Sequence, residues 1–230
     1  MTNANSLALI VGAGSGLSAS LARKCAAAGM RVALAARDPR KLEALAKETG
    51  AAVHACDATD ARQVEALFDA IDTPELVVYN PSYRARGPFL GLDREEVRKT
   101  LTVSAYGGFL VAQAAVRRML GRGRGSLFFT GASASVKGYA ESAPFAMGKF
   151  ALRGLAQSLA RELGPKNLHV AHFVIDGGIA RPGGDARAAA RGADGMLEPD
   201  AIAETYLSVH RQHRSAWSFE VDLRPWVEKF

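Results

Sequence analysis

Three groups of residues have types and spacings that could do chemistry. Gly12, Gly14 and Gly16 punctuate VGAGSGLSAS, directly after the apolar run LALIV and ahead of a helical pattern. Glycines at such a strand-to-helix turn let the backbone bend tightly and approach a pyrophosphate. The helix start adds free N–H groups and the positive end of its dipole. The second group, Arg37 and Asp38, closes the next apolar run. At that place a carboxylate bonds the adenosine ribose of NAD, whereas an arginine receives the 2′-phosphate of NADP. Third, Lys149 stands four residues after Phe145 at the start of SAPFAMGKFALRGLAQSLARELG, an amphipathic helical stretch. A lysine whose pKa is depressed by burial can move a proton near neutrality. A phenyl ring has no proton to exchange.

The elements that must carry these groups alternate along the whole chain. Strands are expected at 7–12, 31–36, 52–56, 76–80, 126–130, 168–175 and near 217–221. Helices are expected at 17–29, 39–49, 60–71, 93–120, 143–164 and about 199–211. Strand-helix alternation implies right-handed crossovers and a parallel sheet covered on both faces. The reading is a single-domain, Rossmann-type α/β fold: a doubly wound parallel sheet of about seven strands with helices on both faces. Ligands of such sheets bind at the carboxyl ends of the strands, near the switch in strand order. The residues just after each strand therefore carry the functional argument.

Bulk properties agree and exclude several classes. The chain has 230 residues, 48% hydrophobic and 23% charged, enough for one substantial core. No apolar run approaches the roughly 18 residues of a membrane span, and the N-terminal segment reads as a strand, so a cytoplasmic protein is expected. The net charge is +6, but the basic residues are dispersed, and the densest run, RRMLGRGRG, falls at a helix end and turn. Nucleic acid is not an expected partner; attraction of anionic small molecules is. Cys25 and Cys56 fit no metal or disulfide framework, and no metal site is expected.

The spacing Gly12-x-x-x-Gly16-x-Ser18 resembles the TGxxxGxG motif of the short-chain dehydrogenase/reductase family, with serine at the last glycine. The resemblance runs through essentially the full length. It implies that Gly12, Ser15, Gly16, Leu17, Arg37, Asp57, Ala58, Asn80, Lys149 and Ile179 bind a nicotinamide dinucleotide. The stretch at Arg37 is similar to that of NADP-preferring members, so NADP(H) is expected over NAD(H). Asn80 matches the second asparagine of the family's NNAG, while Tyr79, Pro81 and Ser82 depart from it. Asp57 and Ala58 would meet the adenine edge, and the backbone near Ile179 the nicotinamide amide.

Aligned on Lys149, the family's catalytic positions are degenerate. Phe145 falls at the tyrosine that exchanges the proton, Ala132 at the serine that holds the substrate oxygen, and Ser104 at the helix asparagine of the water relay. Ser104 and Ser133 are the candidate replacement hydroxyls, with Tyr83 and Tyr139 as further donors and Lys149 itself as a possible acid. His172, inside an apolar strand, reads as a core residue. The expected function is an oxidoreductase acting on a small activated C=C, C=N or carbonyl substrate. The alternative is a non-catalytic dinucleotide-binding protein, a sensor or silent partner of an active homologue; a structural role with an empty site is the third reading. The small-residue loop at about 180–198 reads as a lid, with Arg181, Arg187 and Arg191 available to an anionic substrate tail. The family implies a homodimer or homotetramer paired through helices 93–120 and 143–164.

Overall fold

The computed structural model describes residues 6–181 and 183–229. Seven parallel strands lie in the order β3-β2-β1-β4-β5-β6-β7. They are β1 (Leu7–Val11), β2 (Arg31–Ala36), β3 (Ala52–Ala55), β4 (Leu76–Tyr79), β5 (Gly125–Thr130), β6 (Leu168–Ile175) and β7 (Glu220–Leu223). The helices between them are α1 (Leu17–Ala27), α2 (Glu43–Thr49), α3 (Ala61–Asp69), α4 (Arg94–Leu101), α5 (Gly107–Arg122), α6 (Ala143–Leu163), α7 (Ala186–Arg191) and α8 (Pro199–His210).

Burial on both faces explains why the strands read as continuous apolar runs rather than as alternation. All five residues of β1 are buried, yet they divide by the two-residue period of a strand. Leu7, Leu9 and Val11 pack with α3, α5 and α6, together with Phe68, Val111 and Leu152. Ala8 and Ile10 pack with α1, α2 and α8, together with Leu21, Leu45 and Tyr206. The strand order reverses between β1 and β4, and the loops after these two strands diverge there to open a cleft.

Several expectations shift. The last strand is Glu220–Leu223 rather than 217–221, because Trp217 leaves the ladder to stack on His169, with ring centroids 4.7 Å apart. The loop after β6 holds the short α7, capped by the Asp185 carboxylate on the Arg187 N–H; Pro182, within the expected lid, lies outside the described residues. The long helix expected over 93–120 runs from α4 into α5 through one π-helical turn, Thr102–Tyr106. Gly107 and Gly108, expected on the outer face of that helix, point inward. A Cβ on Gly107 would lie 2.5 Å from Tyr79 Oη, and one on Gly108 2.7 Å from Leu152.

Candidate dinucleotide and catalytic cleft

The first glycine turn is shaped by one close approach. Gly12 has φ +78°, and a Cβ there would lie 2.6 Å from the backbone nitrogen of Pro81, so β1 and β4 can end side by side only with glycine. Ser18 donates to the Gly12 carbonyl at 3.3 Å, and the Asn80 amide donates to Ser18 Oγ at 2.7 Å. Asn80 thus pins the two strand ends together. Gly14 and Gly16 face open space, with nothing within 4 Å of a built Cβ. The N–H groups of Gly12 and Ala13 are taken by the Ala35 carbonyl, but those of Ser15, Gly16 and Leu17 have no acceptor among the described residues. No side chain caps α1, and its first turn has no acidic residue. This is an open anion cradle, the arrangement that suits a pyrophosphate.

A cavity of about 1100 Å³ continues from the cradle along the ends of β1, β2, β3 and β4. Gly12, Gly14, Ser15, Arg37, Asp57, Ala58 and Asn80 line it together, along with Pro81 and Ser82. Arg37 is exposed and makes no ion pair among the described residues. Its neighbour Asp38 is engaged: Arg40 donates to both its oxygens at 2.9 and 3.2 Å, and Lys41 lies 3.9 Å away. The same bonds hold its carboxyl below the usual range. Asp57 bonds the Thr59 N–H and hydroxyl at 2.9 and 2.7 Å, while Asp60 caps α3. Ala58 is buried against the helix at Gly107.

On the loop after β4 the cavity lining ends at Ser82, and it does not include Gly16, Leu17, Lys149 or Ile179; the predicted catalytic positions lie on and around α6. Lys149 is only 2% exposed, and its ammonium donates to the Thr130 carbonyl at 2.8 Å. Burial first, and the positive charge of Arg84 second, pull its pKa from 10.5 to about 8. Phe145 is buried one helical turn earlier. The Lys149 Nζ stands 5.8 Å from its ring centroid, and the Arg84 guanidinium carbon lies over the same ring at 4.0 Å. Ile179 pairs with Leu197 in an isolated bridge and gives its carbonyl to Arg187, leaving its N–H without a protein acceptor.

The candidate hydroxyls differ in their surroundings. Ser104 is fully buried in the π-helical turn, where a Cβ on Gly148 would come within 2.8 Å of its Cβ; its Oγ has no hydrogen-bond partner among the described residues. The π-turn also packs against β4, since the Tyr79 hydroxyl donates to the Val103 carbonyl at 2.5 Å. Tyr83 donates to the Glu96 carboxylate, beneath Lys99 at 4.1 Å from its ring. Tyr139 is 46% exposed and belongs to the surface. Ser135 is spent on the Ala132 N–H at 3.1 Å. Ser133 is half-buried at the start of the same turn; its carbonyl accepts from the Val136 and Lys137 N–H groups at 3.0 Å each, while its hydroxyl makes no hydrogen bond among the described residues.

His172 is a core residue with a charged anchor. Its Nδ1 meets Glu220 at 3.0 Å, Glu220 takes both arms of Arg153 at 2.7 and 2.8 Å, and burial pushes the imidazole down to about 4. The lid arginines are mostly committed as well. Arg187 pairs with Asp185, and Arg191 with Glu228 at 3.1 Å. Among the described residues no group of three or more His, Cys, Asp or Glu could hold a metal ion, and no helix is long and apolar enough to cross a membrane.

A family model described as short chain dehydrogenase matches residues 6–182. The chain belongs to this family. A short-chain dehydrogenase from Rhodopseudomonas palustris is 34% identical, with a TM-score of 0.82 over 97% of this chain and 100% of that one. A metagenomic short-chain oxidoreductase in complex with NADP is 26% identical, with a TM-score of 0.83 over 98% of this chain and 100% of that one. Among curated proteins, the D-threitol dehydrogenase of Mycolicibacterium smegmatis is 30% identical over 173 residues, 71% of this chain and 66% of that protein. The chain therefore spans just under two thirds of that relative. Short-chain dehydrogenases are oxidoreductases of Rossmann-type fold that bind NAD(P), and the open cradle and continuous cavity of this member fit such a group.

One contact at the Phe145 position is not readable from the sequence: Arg84 lies in SYRARG, two residues past Ser82, and nothing in its spacing predicts the Phe145 ring as its neighbour.

Proposed function

We propose that this short-chain dehydrogenase is an NADP(H)-dependent oxidoreductase that reduces a small activated C=C, C=N or carbonyl substrate without a tyrosine acid. The observation that carries the reading is the free Arg37 guanidinium on the cavity wall, beside an Asp38 already neutralised by Arg40. An unpaired arginine suits a 2′-phosphate, and a carboxylate tied up by arginine is a poor partner for ribose hydroxyls. The NADP complex of the metagenomic relative supports the same cofactor.

When bound, the dihydronicotinamide would supply the hydride, and the chain supplies orientation and the proton. The amides of Ser15, Gly16 and Leu17 hold the pyrophosphate, Arg37 the 2′-phosphate, Asp57 and Ala58 the adenine edge, and the Ile179 N–H the carboxamide. Asn80 lines the cavity and also pins Gly12 through Ser18. Lys149 holds the nicotinamide ribose and, with a pKa of about 8, can release a proton at neutral pH. Ser133 is the nearest free hydroxyl for a substrate oxygen. Substrates that tolerate a weak acid, such as conjugated alkenes or protonated imines, match a site whose tyrosine position is Phe145.

The segment 180–198 acts as a lid over this site, held by Arg191 to Glu228 of the C-terminal stretch. Two copies pair through the outer faces of α5 and α6, where Tyr106, Phe109, Met147 and Phe150 are 43–52% exposed. The setting is cytoplasmic. A non-catalytic sensor is the second reading, favoured by the loss of proton donors around Phe145.

Paired titrations with NADPH and NADH, followed by nicotinamide fluorescence, test the proposal. Selective NADPH binding that is lost in Arg37→Ala supports it; no binding of either nucleotide removes both readings. Turnover in a screen of enones, imines and carbonyls then separates enzyme from sensor.

A further inference from the structure

A guanidinium stands over the ring that occupies the tyrosine position. Arg84 lies on the loop after β4, two residues past Ser82, where the lining of the dinucleotide cavity ends. Its guanidinium covers the Phe145 ring at 4.0 Å, on the segment that also presents Lys149. Among the described residues it makes no hydrogen bond and no ion pair. By contrast, Arg187 is taken by Asp185, Arg191 by Glu228, and Lys137 by Asp176 at 3.5 Å.

The residues around Arg84 are fastened. The Tyr83 hydroxyl bonds Glu96, and Lys99 covers the Tyr83 ring. The Ala85 N–H donates to Thr100 Oγ1 at 3.3 Å, and the Gly87 N–H donates to the Glu141 carbonyl at 3.0 Å, tying this loop to the one that leads into α6. A free arginine on a fixed backbone, stacked on an aromatic face, presents a planar fork of N–H donors at a set position. Partial loss of water and the adjacent Arg86 lower the guanidinium pKa, and Arg84 in turn weakens the hold of Lys149 on its proton. Two cations thus lie beside the Phe145 ring, and neither has a carboxylate partner among the described residues.

Resting on the oxidoreductase reading, we infer that Arg84 is the substrate's anion receptor: it grips a carboxylate conjugated to the bond being reduced, so that the substrates are small 2-oxo, 2-imino or 2,3-unsaturated acids. A guanidinium does not give up its proton, so Arg84 cannot be the missing acid. It binds carboxylate oxygens in a bidentate fork and fixes the adjacent unsaturated carbon beside Lys149, which remains the group able to deliver a proton. For a 2,3-unsaturated acid, hydride addition at C3 sends the electron pair into the carboxylate that Arg84 holds, and C2 then takes a proton; for a 2-oxo or 2-imino acid the pair goes to the oxygen or nitrogen on C2, which takes its proton from Lys149.

The test uses ligand-observed NMR and calorimetry on the full chain, with and without saturating NADP⁺. The probes are oxamate and crotonate, with oxamide and crotonamide as neutral counterparts. The wild-type protein is expected to bind at least one carboxylate and to ignore its amide. Arg84→Gln should weaken that binding by about 10- to 100-fold, as loss of charge-assisted hydrogen bonds implies. Arg84→Lys, which keeps the charge without the fork, should fall between, and Arg86→Gln should change little; melting curves establish that each variant folds. Equal binding of acid and amide, no carboxylate binding, or an Arg86→Gln loss matching that of Arg84→Gln would overturn the inference. So would a loss of NADP⁺ binding in Arg84→Gln, which would place Arg84 on the cofactor. Failure of NADP⁺ to bind the wild type would instead strike the functional reading, and carboxylate binding to the nucleotide-free protein would still be measurable.

Discussion

Replacing Lys149 by methionine gives the most quantitative test of the catalytic half of the cleft. The lysine is 2% exposed, with one hydrogen bond to Thr130 and no ion pair, so its charge is borne at a cost. Its pKa falls from 10.5 to about 8 through burial and, secondly, Arg84. The sign follows from proton counting. Between these two values the unfolded chain binds more protons than the folded one, so stability rises with pH across that window. The penalty is full below about pH 8 and gone above about pH 10.5; at about 1.4 kcal/mol per pKa unit it amounts to about 3 kcal/mol. Going from about pH 7 to about pH 10 should therefore stabilise the wild type by about 2–3 kcal/mol relative to Lys149→Met, other titrations cancelling between the two. Urea unfolding of both proteins at a series of pH values reads this directly. The absolute difference at one pH decides nothing, because methionine also leaves the Thr130 carbonyl without its donor. A difference that stays constant with pH would mean that Lys149 titrates like an ordinary lysine, and its role as proton source near neutrality would fall. If the role holds, turnover in the reductive direction should decline as pH rises through about 8.

The remaining expectations concern other parts of the site. Phe145→Tyr combined with Ala132→Ser should raise reduction of simple ketones by about 10²-fold or more, the lower range for acid-base assistance; no gain in steady-state rate would mean that Arg84 over the ring has redirected the site. Gly12→Ala puts a Cβ 2.6 Å from Pro81 N at φ +78°, and should cost stability by about 2 kcal/mol or more in denaturant unfolding. NADPH binding by the folded fraction should weaken with it. Glu220→Ala removes the shared partner of His172 and Arg153 and should destabilise the protein by about 1–3 kcal/mol without altering NADPH affinity. A changed affinity there would show that the β6–β7 anchor reaches the cofactor.

What was legible in the sequence was whatever is encoded within one element or one turn. Two-sided burial writes β1 as LALIV and β6 as LHVAHFVI, and the glycines after β1 mark a turn whose neighbour, Pro81, they must admit. Arg37 and Asp57 follow from their places after strands, because the strand order brings every such place to one edge. Contacts between loops distant in the chain were not legible. The position of Ser104 is readable from the sequence, but its packing is not: the π-turn and Gly148 bring the helices together so closely that its hydroxyl is fully buried and has no partner among the described residues. The glycines of SAYGGF looked like an outer packing face, whereas their room is taken by Tyr79, a residue noted only as a departure from the expected loop. Arg84 shows the same limit in the functional direction. Its meaning comes from a 4.0 Å contact across 61 positions of sequence, fixed by the Gly87–Glu141 bond between two loops. Loss of a tyrosine and a serine is visible at their own positions; the charge that stands in the space they would have served is visible only when the loops are folded together. Phe145 keeps the aromatic face on which the guanidinium stacks and lacks the hydroxyl, so the polar group beside that position is a cation and not a phenol.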